Sequence, residues 1–121
     1  MVHFKPRQTA SSALKENCRK TGGEYKQRLG GRTHVCEYQP DEERGYHKRR
    51  VVLDTEEGSI TAGSGGLGMD LDDVKYIKTD RADPQDHRMS EEITGKPATD
   101  TLKIEGTRGE ITVQGSGKPH K

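Results

Sequence analysis

The sequence predicts an α+β protein: an N-terminal helix plus β-hairpin, followed by a small antiparallel β unit of two similar hairpins and a fifth strand. Three observations carry this. An apolar stretch with helical spacing stops on Gly22-Gly23 and is followed by alternating residues that turn at Gly30-Gly31. Two later segments alternate apolar and polar residues about a glycine-containing turn, and they align with each other without a gap. A third β-rich run, Val74-Lys-Tyr76-Ile77-Lys78, sits between aspartates.

Residues 1–8 read as a flexible arm, because Pro6 opposes regular structure. Thr9-Ala-Ser-Ser12 supplies N-cap candidates, and Ala10, Ala13, Leu14 and Cys18 share one helical face, so the helix is expected over about 9–21. Glu24 to Leu29 and Arg32 to Tyr38 form the expected hairpin, with Gly30-Gly31 as a two-residue turn at positive φ. Pro40 to Gly45 is a polar connector. The expected organisation is a helix–hairpin unit at 9–46 and an antiparallel β unit at 47–114. A mobile loop at about 79–100 holds Pro84, Pro97 and many acids, with at most one helical turn near Ser90–Ile93, and a disordered tail covers 115–121.

The repeat pairs Val51–Ala62 with Leu102–Val113. Gly58, Ile60 and Thr61 are identical to Gly109, Ile111 and Thr112. Both segments read as hairpins of one design, and the pattern fits either a duplication or two amphipathic hairpins that resemble each other through their chemistry.

Val, Ile, Leu and Phe make up only about 15% of the 121 residues, yet the net charge is +1, so the low apolar content is not joined by the strong charge of a disordered chain. Such a small core leads to the expectation that stability leans on a partner or on self-association. The charge is polarised: residues 1–52 carry a net +6 and residues 53–121 a net −5. No apolar run reaches the roughly 20 residues of a membrane span, and the basic N-terminus has no apolar stretch after it, so neither a membrane contact nor a signal peptide is expected. The expected location is cytoplasmic or a virion.

Gly63-x-Gly65-x-x-Gly68 matches the dinucleotide fingerprint in letters, but Asp70, Asp72 and Asp73 follow and would repel phosphate, so no cofactor is expected. The same aspartates lack the spacing of a calcium loop. Cys18, His34, Cys36 and His47 could supply a tetrahedral zinc site, but the close Cys-x2–4-Cys knuckle is missing. A structural pair of Cys18 and Cys36, bridged or reduced, is favoured over a metal site. A Cys–His nucleophile is disfavoured because Cys18 lies on an apolar face, and no catalytic residue is assigned. The densest basic cluster, Arg44, Tyr46, Lys48, Arg49 and Arg50, offers phosphate contacts and a stacking ring.

Through Cys18-x3-Gly22-Gly23, the hairpin glycines and Val35-Cys36-x-Tyr38, residues 10–38 resemble the small helix–hairpin domain of hemolysin-like lipoproteins. The resemblance implies that local fold and a contact between Cys18 and Cys36. This chain lacks the lipid-attachment sequence and the further cysteines usual in the family, so secretion does not carry over.

The expected function is a non-enzymatic interaction or assembly module, such as a minor structural or accessory protein of a virus or mobile element. It would have a protein partner or associate with itself. The alternative is a nucleic-acid-binding protein acting through the basic N-terminal half.

Overall fold

The computed structural model describes residues 7–63 and 67–116. Helix α1 runs Arg7–Lys20, two residues earlier at its start than the spacing predicts, and only residues 1–6 of the expected arm lie outside the described residues. It ends in a Schellman motif: the Gly22 N–H donates to Arg19 O at 3.1 Å and the Gly23 N–H to Cys18 O at 2.8 Å, with Gly22 at φ 81°.

Strands β1 (Glu24–Arg28) and β2 (Thr33–Tyr38) form the expected hairpin, but its turn is longer than two glycines. Leu29, Gly30 and Gly31 all have positive φ, and Leu29 at 55° is the one non-glycine residue to do so among the described residues. Next come β3 (Arg49–Asp54), β4 (Ser59–Ala62) and β5 (Leu67–Asp70), then β6 (Val74–Asp80), helix α2 (Pro84–Thr94), β7 (Thr101–Gly106) and β8 (Glu110–Gln114). All pairings are antiparallel, in one sheet ordered β1-β2-β3-β4-β5 and a second ordered β6-β7-β8.

Several expectations are corrected by this arrangement. The division at residue 46 is not structural, because β2 pairs with β3 from Thr33↔Asp54 to Tyr38↔Arg49 and makes one sheet across it. The two similar hairpins fall in different sheets. Residues 79–100 are not a loop: β6 continues to Asp80 and α2 occupies eleven residues. Asp83 and Asp86 form a reciprocal capping box, and Gly95 at φ 78° closes the C-terminus. At the C-terminal end Gly115 and Ser116 are held, their N–H groups donating to Asp100 O and Thr21 O, while 117–121 lie outside the described residues.

The two hairpins share a register but not a face. Val51↔Ala62 and Leu53↔Ile60 correspond to Leu102↔Val113 and Ile104↔Ile111, and all eight side chains are buried. In the first hairpin the Gly63 N–H donates to Arg50 O, so the bonded rungs fall on Arg50, Val52 and Asp54, and the buried residues lie between them. In the second, Gly106 bonds Gly109 and Gly115 bonds Asp100, so the buried residues are themselves the bonded ones. The turns set this. Asp54 closes a four-residue loop, its carboxylate accepting from the N–H groups of Glu56 and Glu57, whereas β7–β8 turns through Thr107-Arg108 alone.

For L-residues the buried face and the bonding direction together fix which neighbour lies to the left and which to the right. The sheets therefore face each other over one core, with β1 and β6 at one junction and β5 and β8 at the other. Helix α1 packs against β6, β1 and β2 and fills the first junction. Its Leu14 and Cys18 join Tyr38, Leu53, Ile60, Leu102 and Ile104 in the core. Asn17 completes the closure: its amide donates to Ile77 O at 3.0 Å on the free edge of β6, and its oxygen accepts from the Thr79 hydroxyl at 2.8 Å. No helix among the described residues is long and apolar enough to cross a membrane.

Candidate functional site

The helix stop and the return strand bring Cys18 and Cys36 together as a disulfide with a Cα–Cα distance of 5.7 Å. Gly23 lies directly against it. Tyr38, two residues along the same face as Cys36, shares a 2.7 Å hydrogen bond with the Thr21 hydroxyl. Burial raises the Tyr38 phenol to about 12, against the lowering influence of Thr21 and of the nearby Arg49 charge.

This bonding removes the zinc alternative. Both sulfurs are spent on each other and offer no thiolate, the His34 ring shares a 2.6 Å hydrogen bond with the Tyr25 hydroxyl, and His47 is exposed on a loop. Among the described residues no group of three or more His, Cys, Asp or Glu side chains is placed to hold a metal ion. The same bond deprives a Cys–His nucleophile of its thiol. The letters of the dinucleotide fingerprint lead into strand β5 rather than a helix N-terminus, and its residues 64–66 lie outside the described residues. Asp73 is engaged structurally, its backbone oxygen accepting from the Thr107 N–H at 2.9 Å and its carboxylate lying 3.3 Å from the Thr107 hydroxyl.

Two of the basic residues, Arg44 and Arg49, are drawn inward, while Lys48 and Arg50 stay exposed. The Arg44 side chain, 7% exposed, pairs with the Asp41 carboxylate and donates to Pro97 O at 2.7 Å, which ties the connector to the segment after α2. Arg44 holds the Asp41 carboxyl below its ordinary value. Arg49 stacks on Tyr38 and Tyr46, with its guanidinium carbon 5.5 and 4.9 Å from the ring centres. It donates to Gln114 O at 2.8 Å and His47 O at 2.6 Å, and burial lowers its pKa. Lys48 lies 3.4 Å from the largely buried Glu37 carboxylate, which also meets Lys26 at 3.8 Å. Arg50 is exposed. Arg44, Arg49 and Tyr46 thus form an internal clasp, in which Arg49 occupies the Tyr46 ring that the sequence offered for stacking on bases.

Two surface features were not read from the sequence. Helix α2 turns Met89 and Ile93, one helical turn apart, toward solvent, 54% and 80% exposed. Its signal was present in Asp83-Pro84-x-Asp86 and Gly95, a capping box and a helix stop, but the acidic composition masked it. The second feature is a groove of about 440 Å³ where β5 meets the β7–β8 turn, with Met69, Asp70, Gly106, Arg108 and Glu110 among its lining. Only the three-dimensional arrangement of the sheets brings these together. No protein-family model, no curated protein and no solved structure matches this chain.

Proposed function

We propose that the chain is a non-enzymatic assembly module whose copies meet head to tail, as in a structural or accessory component of a larger particle. The observation that carries this reading is α2. An eleven-residue helix has little stability of its own in water, and here capping groups close it at both ends while Met89 and Ile93 stay exposed. Covering both would contribute about 3 kcal/mol or more. The helix is acidic, carrying Asp86, Glu91 and Glu92 against Arg88.

A second copy offers the complement. The tip of the β1–β2 hairpin exposes Leu29 at 72%, held at positive φ, between Arg28 and Arg32. An apolar tip with basic flanks on one copy and an apolar stripe with acidic flanks on the next make a heterologous contact, which repeats without closing unless the rotation brings it round. The internal acceptors of Arg44 and Arg49 favour this reading over nucleic-acid binding, which needs those cations free to meet phosphates.

Sedimentation velocity over a wide concentration range tests it. Self-association should weaken as salt rises and be lost in Ile93→Asp, with the fold retained. A compact monomer at high protein concentration, indifferent to salt, would sink the reading.

A further inference from the structure

Among the described residues, the wall around the core has one unfilled junction. The Leu71 N–H donates to Gly58 O, so Met69 and Leu67 are the β5 residues bonded to β4, and the backbone groups of Gly68 and Asp70 point away from it. On β8 the bonds of Gly106 to Gly109 and of Gly115 to Asp100 direct Ile111 and Val113 toward β7 and leave Glu110 and Thr112 pointing the other way. The next carbonyl in that series, Gln114 O, is already taken by Arg49. Among the described residues two open strand edges therefore border the same groove, with Met69 and the buried Ile111 as its apolar floor and Asp70, Asp73 and Glu110 on its rim; Arg108 lines the groove as well, and Glu110 also meets Lys103 at 3.1 Å.

We propose that this seam takes an extended strand by β-addition, and that the strand is the N-terminal segment Val2–Lys5 of a second copy. The proposal rests on the assembly reading and supplies it with a second, independent contact. Open edges bind extended chain through their unpaired N–H and C=O groups, and alternate side chains select the occupant. Val2-His3-Phe4-Lys5 alternates apolar with basic residues: Val2 and Phe4 suit the Met69–Ile111 floor, and His3 and Lys5 suit the acidic rim. Pro6 carries no N–H and ends the ladder.

The donor is a second copy because the chain's own segment is too short. Helix α1 starts at Arg7 in the opposite junction, and the path under β6, β7 and β8 crosses spacings that total about 15 Å. At about 3.4 Å per extended residue that path takes up the four or five residues before Arg7, which include Val2–Lys5 themselves, so they cannot also pair along the seam.

Amide hydrogen exchange on the full-length protein at rising concentration tests this. Exchange at Glu110, Thr112, Gly68 and Asp70 should slow by about tenfold or more as copies associate. Phe4→Asp should return it to the dilute rate, and Phe4→Leu should keep the protection. A synthetic peptide Met-Val-His-Phe-Lys-Pro-Arg added to the Phe4→Asp protein should restore it. If sedimentation shows association while these amides exchange at the dilute rate throughout, strand addition is wrong and the α2 contact stands. A monomer at every concentration removes both.

Discussion

Gly23 lies so close to Cys36 that a methyl group on its Cα would sit 2.6 Å from the Cys36 sulfur, and 2.8 Å from both the Cys18 sulfur and the Tyr38 ring. None of these neighbours is the free end of a flexible chain. Gly23→Ala should therefore destabilise by about 1–3 kcal/mol through overpacking, measured by urea denaturation. Gly22→Ala tests a different mechanism at the adjacent residue: its left-handed φ of 81° should cost about 1 kcal/mol without disturbing the sulfurs. If free-thiol titration found the disulfide intact in Gly23→Ala at unchanged stability, the close approach would carry no energetic weight.

The disulfide itself joins residues separated by 18 positions. In the chain-entropy account a loop of this size stabilises by about 3 kcal/mol, a large share of the stability of a chain with so few core side chains. Reduction, or the double variant Cys18→Ser/Cys36→Ser, should lower the denaturation midpoint accordingly. Coincident melting curves with and without reductant would contradict this role.

Asn17 is a buried amide in the middle of a helix, an unfavourable place for it on propensity alone. It is there because β6 has a free edge to satisfy. Asn17→Ala would strand Ile77 O and the Thr79 hydroxyl, and should cost about 1–3 kcal/mol in chemical denaturation. Asn17→Asp should cost more at neutral pH, because a carboxylate cannot donate to Ile77 O and would face it with negative charge. Equal stability in all three proteins would mean that the edge is satisfied in some other way.

Tyr38 makes the fold sensitive to base. Its phenol titrates near 10 when exposed and is raised to about 12 in the folded chain. The raised value means that the folded state keeps the proton more tightly. The resulting stability is complete below about pH 10 and is lost as pH rises from there to about 12. Unfolding free energies measured across that interval should fall, and Tyr38→Phe should flatten the fall. Absorbance titration near 295 nm should show Tyr38 ionising late, a component that Tyr38→Phe removes.

What the sequence made legible was local. Alternation at Val51–Leu53 and Leu102–Ile104 marks core-facing strand positions, and Gly22-Gly23 marks a helix stop, because each depends only on neighbours in the chain. The partition into two sheets was not legible, since it depends on whether buried residues are also the hydrogen-bonded ones, and both arrangements leave the same apolar pattern. Strand β5 was hidden by glycines and acids, with Met69 a side chain that packs against the core. The partners of the basic cluster were hidden for a similar reason: composition records that Arg44 and Arg49 are charged, but not that Pro97 O and Gln114 O lie within their reach.

The unequal turns of the two hairpins bear on ancestry. Segments 51–62 and 102–113 share spacing, three identical residues and a pairing register, which invites a story of duplication followed by divergence. Yet they are as little interchangeable as a pair of gloves. Grafting the second segment into the first position, with its short turn, would aim its buried residues' backbone donors at β4 instead of β2 and deprive the sheet of a neighbour. Kinship between the halves would require the return strand, viewed from the core, to have changed sides along the way.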